Sequence, residues 1–187
     1  RGSSGTFGRI HSIVAISTIA AALEAAIKKL LAAGVENPKL DSKLLLCHAA
    51  DIEPVTLITN SNRHLAPQIL QSFESLIERR ALREPVSHLI GEREFWSFPF
   101  LVTSDVLDPR PASETLIEAA LQYVGDTKKG LSVLDLGTGS GCLLITMLKE
   151  CPLAAGIGVD ISEAALKVAR RNGIKHSVEN RSKFALS

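Results

Sequence analysis

The 187-residue chain is 45% hydrophobic and 22% charged, the balance of a folded globular protein and not of a disordered one. Its 21 Lys and Arg nearly match its 20 Asp and Glu, so a net charge of +1 supplies no overall field to draw in nucleic acid or an anionic membrane. Three cysteines, Cys47, Cys142 and Cys151, are too few and too scattered for a disulfide framework or a metal knuckle, and they point to a reducing, cytoplasmic compartment.

At about 150 residues per domain, the length allows one large domain or two small ones. The opening Arg1-Gly2-Ser3-Ser4-Gly5-Thr6 lacks an initiator Met and reads as a loose or exogenous tail. The apolar stretch Ile13 to Leu23 stops at Glu24, short of the ~20 residues that a membrane span needs. It has no cleavage signature, which argues against a signal peptide.

Residues 17–84 read as a helical bundle. Ser17 or Thr18 can cap a first helix with Ile19, Leu23, Ile27, Leu30 and Leu31 on one face, and Gly34 offers a left-handed stop. Asn37-Pro38 starts a second helix, with Leu40, Leu44, Leu45 and Cys47 expected inward. A short third helix follows Glu53-Pro54. A fourth starts near Pro67, burying Ile69, Leu70, Phe73, Leu76 and Ile77 while Gln71, Glu74, Glu78 and Arg79 face water.

Residues 85–111 change character. Pro85, Pro99, Pro109 and Pro111 oppose helix, and Phe95, Trp96, Phe98 and Phe100 are half of the chain's eight aromatic residues. The segment reads as a β-hairpin linker whose aromatics form an interdomain core, with substrate contact as the other reading. Thr115 to Val124 is an amphipathic helix with Thr115 and Glu118 at capping-box spacing, an apolar stripe of Leu116, Ile117, Ala120, Leu121 and Val124, and Gly125 at its end.

Residues 131–187 then alternate in α/β fashion. Leu131 to Leu136 is a buried strand, Gly137 to Gly141 a tight loop and Cys142 to Glu150 a helix. Ala155 to Val159 is a second strand closed by Asp160, and Ser162 caps a further helix to about Asn172. Arg181 to Ser187 begins to look like a third strand. Strand, helix and strand in this order imply a parallel sheet with a right-handed crossover.

The chemistry concentrates in Asp135-Leu136-Gly137-Thr138-Gly139-Ser140-Gly141, with Asp160 following 19 residues after Gly141. A glycine bend between strand and helix lets ligand atoms approach the backbone, and its N–H groups with the helix start can bind an anionic group. An acid closing the next strand can accept hydrogen bonds from both hydroxyls of a ribose. A dinucleotide site wants G-x-G-x-x-G, but Cys142 stands three residues after Gly139. The pattern here is D-x-G-x-G-x-G, which is similar to that of S-adenosylmethionine-dependent methyltransferases. In that reading Asp135 takes up the methionine ammonium, directly or through water. The loop N–H groups face the carboxylate end, and Asp160 takes the ribose.

Three segments in order carry a closer resemblance: Gly91-Glu92-Arg93-Glu94-Phe95, Pro109-Arg110-Pro111-Ala112-Ser113-Glu114, and the glycine loop. With the helical front, they resemble the HemK or PrmC type of protein-glutamine N5-methyltransferase, which acts on peptide chain release factors. The resemblance runs from about residue 18 to the end. It implies a helical substrate-recognition domain (17–84), a hairpin linker (85–111) and the front of a Rossmann-like class I methyltransferase domain (112–187). It also implies S-adenosylmethionine as cofactor, held by Asp135, Gly137, Thr138, Gly139, Ser140, Gly141 and Asp160. One departure is Ala112, where the family commonly has Glu or Asp; Ser113 keeps a hydroxyl.

The implied reaction is attack by the glutamine amide of a Gly-Gly-Gln motif on the sulfonium methyl. The amide lone pair is delocalised, so the family relies on an Asn-Pro-Pro-Tyr motif to aim the nitrogen. No such motif occurs here, and the only Asn-Pro pair is Asn37-Pro38. The resemblance therefore implies the first two-thirds of such an enzyme, with no catalytic residue present and the polypeptide silent by itself. A half sheet also predicts an exposed strand edge and self-association.

The remaining polar residues support no other site. His11, His48, His64, His88 and His176 are dispersed and predict no metal site. Cys142 sits at a helix start, where a thiol pKa can fall, yet it reads better as packing. Arg79, Arg80 and Arg83 complement a helix dipole more readily than they bind RNA. Arg110 and Glu114 are expected either to form an ion pair or to gate the cofactor. Two rival functions remain open: an NAD-linked oxidoreductase, and a non-catalytic module that docks on a release factor.

Overall fold

The computed structural model describes residues 17–187, so the expectations for Arg1–Thr6, His11 and the start of the apolar stretch lie outside the described residues. The chain divides into two compact units after Glu84.

Among its described residues the first unit has four helices: α1 (Ile19–Ala32), α2 (Pro38–Ala50), α3 (Pro54–Thr59) and α4 (Pro67–Ala81). Thr18 caps α1, its hydroxyl accepting the Ala21 N–H at 3.2 Å. Proline opens each of the other three, where its missing N–H costs nothing. Ile19, Leu30, Leu45, Leu46, Leu70, Phe73 and Ile77 build the core. The inward face of α2 differs from expectation. Leu40 and Leu44 are exposed, while Asp41, Ser42, Leu45 and Leu46 are buried. Asp41 turns inward because Arg80 of α4 meets it at 2.8 Å, and that ion pair rotates the helix away from the purely apolar choice. On α1, Leu31 is likewise exposed, and Ala22 and Ala26 occupy the close contact instead.

The second unit opens with α5 (Val86–Ile90), a short helix that the proline-rich reading of 85–111 missed. Pro85 sits at its N-cap and Gly91 closes it in the left-handed region. The hairpin pairs β1 (Glu92–Phe95) with β2 (Phe98–Leu101). Its turn residues, Trp96 and Ser97, both have positive φ, a conformation that suits a tight hairpin but disfavours these side chains. Two acids hold the turn: Glu114 accepts the Trp96 backbone N–H at 2.9 Å, and Glu150 accepts its indole N–H at 3.0 Å. Phe95 and Phe100, expected in an interdomain core, pack with Ile117, Leu144, Ile145 and Leu148 in the core of the second unit.

A 3-10 turn over Pro111–Ser113 leads into α6 (Glu114–Val124). The expected capping box is not formed. Ser113 occupies the cap, and the Thr115 hydroxyl donates back to the Ala112 carbonyl. Leu116, assigned to the apolar stripe, is exposed. The rest of the unit is β3 (Ser132–Leu136), α7 (Cys142–Glu150), β4 (Ala155–Asp160), α8 (Glu163–Lys175) and β5 (Ser182–Leu186). The three strands form one parallel sheet in the order β3-β4-β5.

One sheet face is covered by α7 and α8. Gly156 permits this contact, since a Cβ there would lie 2.4 Å from the Leu144 side chain. The other face carries Leu134, Leu136 and Ile157, which are 63%, 74% and 44% exposed. The buried strand expected at 131–136 is thus half-covered, because among the described residues no helix layer lies on its second face. No described helix is long and apolar enough to cross a membrane.

Candidate functional site

The bend after Leu136 sits where β3 ends and α7 begins. Gly137, Gly139 and Gly141 all have positive φ, which lets the chain reverse within five residues. Space differs along the bend. A Cβ on Gly137 would meet nothing within 4 Å, and one on Gly139 only the Gly137 carbonyl at 4.0 Å, so the outer side of the bend is open. At Gly141 a Cβ would stand 3.0 Å from Ile145 and 3.2 Å from Ala169, which seats the inner side tightly on α7 and α8.

The N–H groups expected to form an anion cradle are already used within the protein. Gly137 and Thr138 both donate to the Val159 carbonyl, at 2.8 and 2.9 Å. Gly141 donates to the Thr138 carbonyl at 2.8 Å, and Gly139 to Asp160 Oδ2 at 2.9 Å. The sheet register causes this: Leu136 pairs with Val159, so the Val159 carbonyl lies beneath the bend. Within the bend only the Ser140 N–H lacks a partner, and further free donors lie at the start of α7, where the first-turn N–H groups lack intrahelical partners. Thr138 and Ser140 are 5% and 2% exposed. The accessible handles are therefore Gly137, Gly139 and the two half-buried acids, Asp135 and Asp160.

Both acids are held in position. Thr138 Oγ1 donates to Asp135 Oδ2 at 2.7 Å, across a gap that Gly158 keeps open; a Cβ on Gly158 would fall 2.7 Å from that same hydroxyl. Asp160 accepts Gly139 N–H on one oxygen and Ser162 N–H on the other, at 2.9 and 3.0 Å. A carboxylate offers about four lone-pair sites, so each acid retains acceptor capacity toward a ligand. Two fixed carboxylates beside an open glycine bend suit a ligand that carries an ammonium group and vicinal hydroxyls.

Other expected candidates resolve differently. Arg110 and Glu114 form no ion pair; Glu114 instead holds the hairpin turn. Burial pushes the Cys142 thiol up to about 11, opposite to an activated helix-start cysteine, and packing is its role. Arg79 pairs with Glu84 and Arg80 with Asp41, so both are committed inside the helical unit. His176 packs its ring against Phe98 and Phe100, with Nε2 3.1 Å from the Pro99 carbonyl. Among the described residues no group of His, Cys, Asp and Glu could hold a metal ion. Sequence reasoning missed Gly158, whose signal was a glycine inside a strand, and Asn172, a polar residue within a helix and fully buried.

Residues 21–91 match the family described as PrmC N-terminal domain, and residues 127–186 match a methyltransferase domain. In order along the chain, the two segments are therefore similar to a PrmC N-terminal domain and to a methyltransferase domain. Curated relatives align along most of the chain. A release factor glutamine methyltransferase from Cereibacter sphaeroides is 45% identical over 89% of this chain and 58% of its own length. One from Rhodospirillum rubrum is 42% identical over 84% of this chain and 48% of its own, and one from Caulobacter vibrioides 38% identical over 88% and 56%. The chain thus spans about half the length of the curated relatives it matches. Among solved structures, a methyltransferase from Thiobacillus denitrificans in complex with S-adenosyl-L-homocysteine is 31% identical over 42% of this chain and 29% of that one. Its TM-score is 0.35, an overlap too small to bear on function. The glycine bend and Asp160 both fall inside the methyltransferase domain, and the hairpin lies between the end of one matched segment and the start of the next.

Proposed function

We propose that the methyltransferase domain holds S-adenosylmethionine at the bend after Leu136, for transfer of its methyl to the glutamine amide nitrogen of a release factor's Gly-Gly-Gln motif. The carrying observation is the pair of fixed acids, Asp135 and Asp160, flanking an open glycine turn. The names of the relatives support the substrate class.

Asp135 keeps one oxygen free of Thr138 and meets the methionine ammonium. Asp160 accepts the ribose hydroxyls with the lone pairs that Gly139 and Ser162 leave free. The start of α7 faces the carboxylate end. When bound, the donor supplies an electrophilic methyl on its sulfonium; the chain's own work is to bind and orient it.

Residues 17–84 recognise the release factor, 85–111 form the hairpin segment, and 112–187 hold the donor, all in the cytoplasm. Among these 187 residues no Asn-Pro-Pro-Tyr is available to aim the glutamine nitrogen. The polypeptide by itself therefore binds the donor without methylating a release factor, and clear turnover in a methylation assay would refute that part. The site itself is tested by calorimetry: S-adenosylhomocysteine is expected to bind and NADH not to. The reverse preference would restore the oxidoreductase reading. Release-factor binding indifferent to either ligand would favour a docking module.

A further inference from the structure

We propose that Asn172 is the positioning residue that sets the shape of the donor-binding bend and couples it to the aromatic hairpin; this rests on the donor site proposed above. Asn172 lies on α8, its side chain fully buried. Its amide Nδ2 donates to the Ser140 carbonyl at 2.8 Å and to the Leu101 carbonyl at 2.9 Å, while its Oδ1 accepts the Leu101 N–H at 2.8 Å. Two donors and an acceptor are all engaged, and every partner is backbone. No side chain other than an amide of this length offers that set: Asp lacks both donors, and Leu strands three buried polar groups.

The bond to Ser140 matters for the ligand. The Ser140 carbonyl and the Gly141 N–H belong to one peptide plane. Asn172 holds the carbonyl, and the Thr138 carbonyl holds the N–H at 2.8 Å. That plane fixes where Gly139 sits, and Gly139 N–H is what turns Asp160 toward the bend. The helix also grips the hairpin at helical spacing. Lys175 pairs with Glu92, His176 Nε2 lies 3.1 Å from the Pro99 carbonyl, and Asn172 takes Leu101. Of these three, Asn172 alone also reaches the bend, so a shift of β2 is transmitted to Ser140 through a single amide.

The test compares Asn172→Asp and Asn172→Ala with Val178→Ala, which removes apolar volume from the same core without touching the bend. Losing both donors is expected to weaken S-adenosylhomocysteine by about tenfold or more in calorimetry, given the cost of stranded buried carbonyls. Amide exchange over Gly137–Gly141 should accelerate. Val178→Ala should lower the melting temperature while leaving affinity and loop exchange unchanged. Asn172 variants that bind as the parent does, or that lose only what Val178→Ala loses at equal melting temperature, would overturn the proposal. If the parent itself binds no S-adenosylhomocysteine, the donor-site reading fails. Loop exchange in the ligand-free chain then still decides the positioning role, supporting it if faster in the Asn172 variants and refuting it if unchanged. Should either variant fail to fold, Asn172→Ser keeps a hydroxyl donor and is measured in its place.

Discussion

The two faces of the β3-β4-β5 sheet have opposite characters. The face under α7 and α8 buries Leu144, Leu148, Leu166 and Ala169 completely, and it carries the acids, the glycine bend and the buried amide. The other exposes Leu134, Leu136 and Ile157 around a concavity of about 440 Å³ that Arg181 and Lys183 help to line. Strand residues alternate between these faces, so neighbours such as Leu134 and Asp135 have unrelated fates. A site of fixed geometry needs packing behind it, and here it lies on the packed side only.

The largest difference between the faces is expected in stability. Leu148→Ala should cost about 2–5 kcal/mol by the cavity it leaves, while Leu134→Ala should change little; denaturant midpoints at constant slope measure both. Equal costs would mean that the exposed face is covered in solution. Next comes ligand binding. Asp160→Ala should weaken S-adenosylhomocysteine by about a hundredfold, since charge-assisted hydrogen bonds contribute roughly 1.5–3 kcal/mol each; a titration showing parental affinity would remove Asp160 from the site. Gly158→Ala probes the same face from inside the sheet. Its methyl would meet the Thr138 hydroxyl and Phe184, at a cost of about 1–3 kcal/mol by overpacking. An unchanged melting temperature would show that Thr138 does not need that gap.

A milder contrast concerns association. Leu134→Lys or Leu136→Lys should reduce self-association in sedimentation without lowering the melting temperature, because each side chain already faces water. The smallest effect is a titration. Burial first of all holds the His176 pKa below its ordinary value, and Lys175 and Lys149 add to this, against the Pro99 hydrogen bond and Glu92. A depressed folded value means that the unfolded chain binds the proton more readily. The contribution of His176 is therefore present above its unfolded value of about 6.5 and lost as pH falls from there through the lower folded value. Melting temperatures from about pH 7.5 to about pH 5.5 should fall less steeply in His176→Phe than in the parent; parallel slopes would exclude this residue.

What the sequence made legible was local. The strand–bend–helix segment around Gly137, the second strand ending at Asp160, and the helix starts at Pro38, Pro54 and Pro67 all follow from signals within a few residues. What escaped depends on partners distant in sequence. Asp41 faces inward because of Arg80, 39 residues away, and Trp96 accepts a left-handed turn because of Glu114 and Glu150. The N–H groups of Gly137 and Thr138 are satisfied because register places the Val159 carbonyl beneath them. Asn172 bonds to Leu101 across 71 positions, a pairing that no spacing rule suggests.

In the proposed site one bend and one acid across the next strand hold the methyl donor. Amide hydrogen exchange with and without S-adenosylhomocysteine tests it most directly. Added ligand is expected to protect Gly137–Gly141 and the end of β4 at Asp160, with the helical unit unchanged. Protection confined elsewhere, or none in a chain that melts cooperatively, would contradict it.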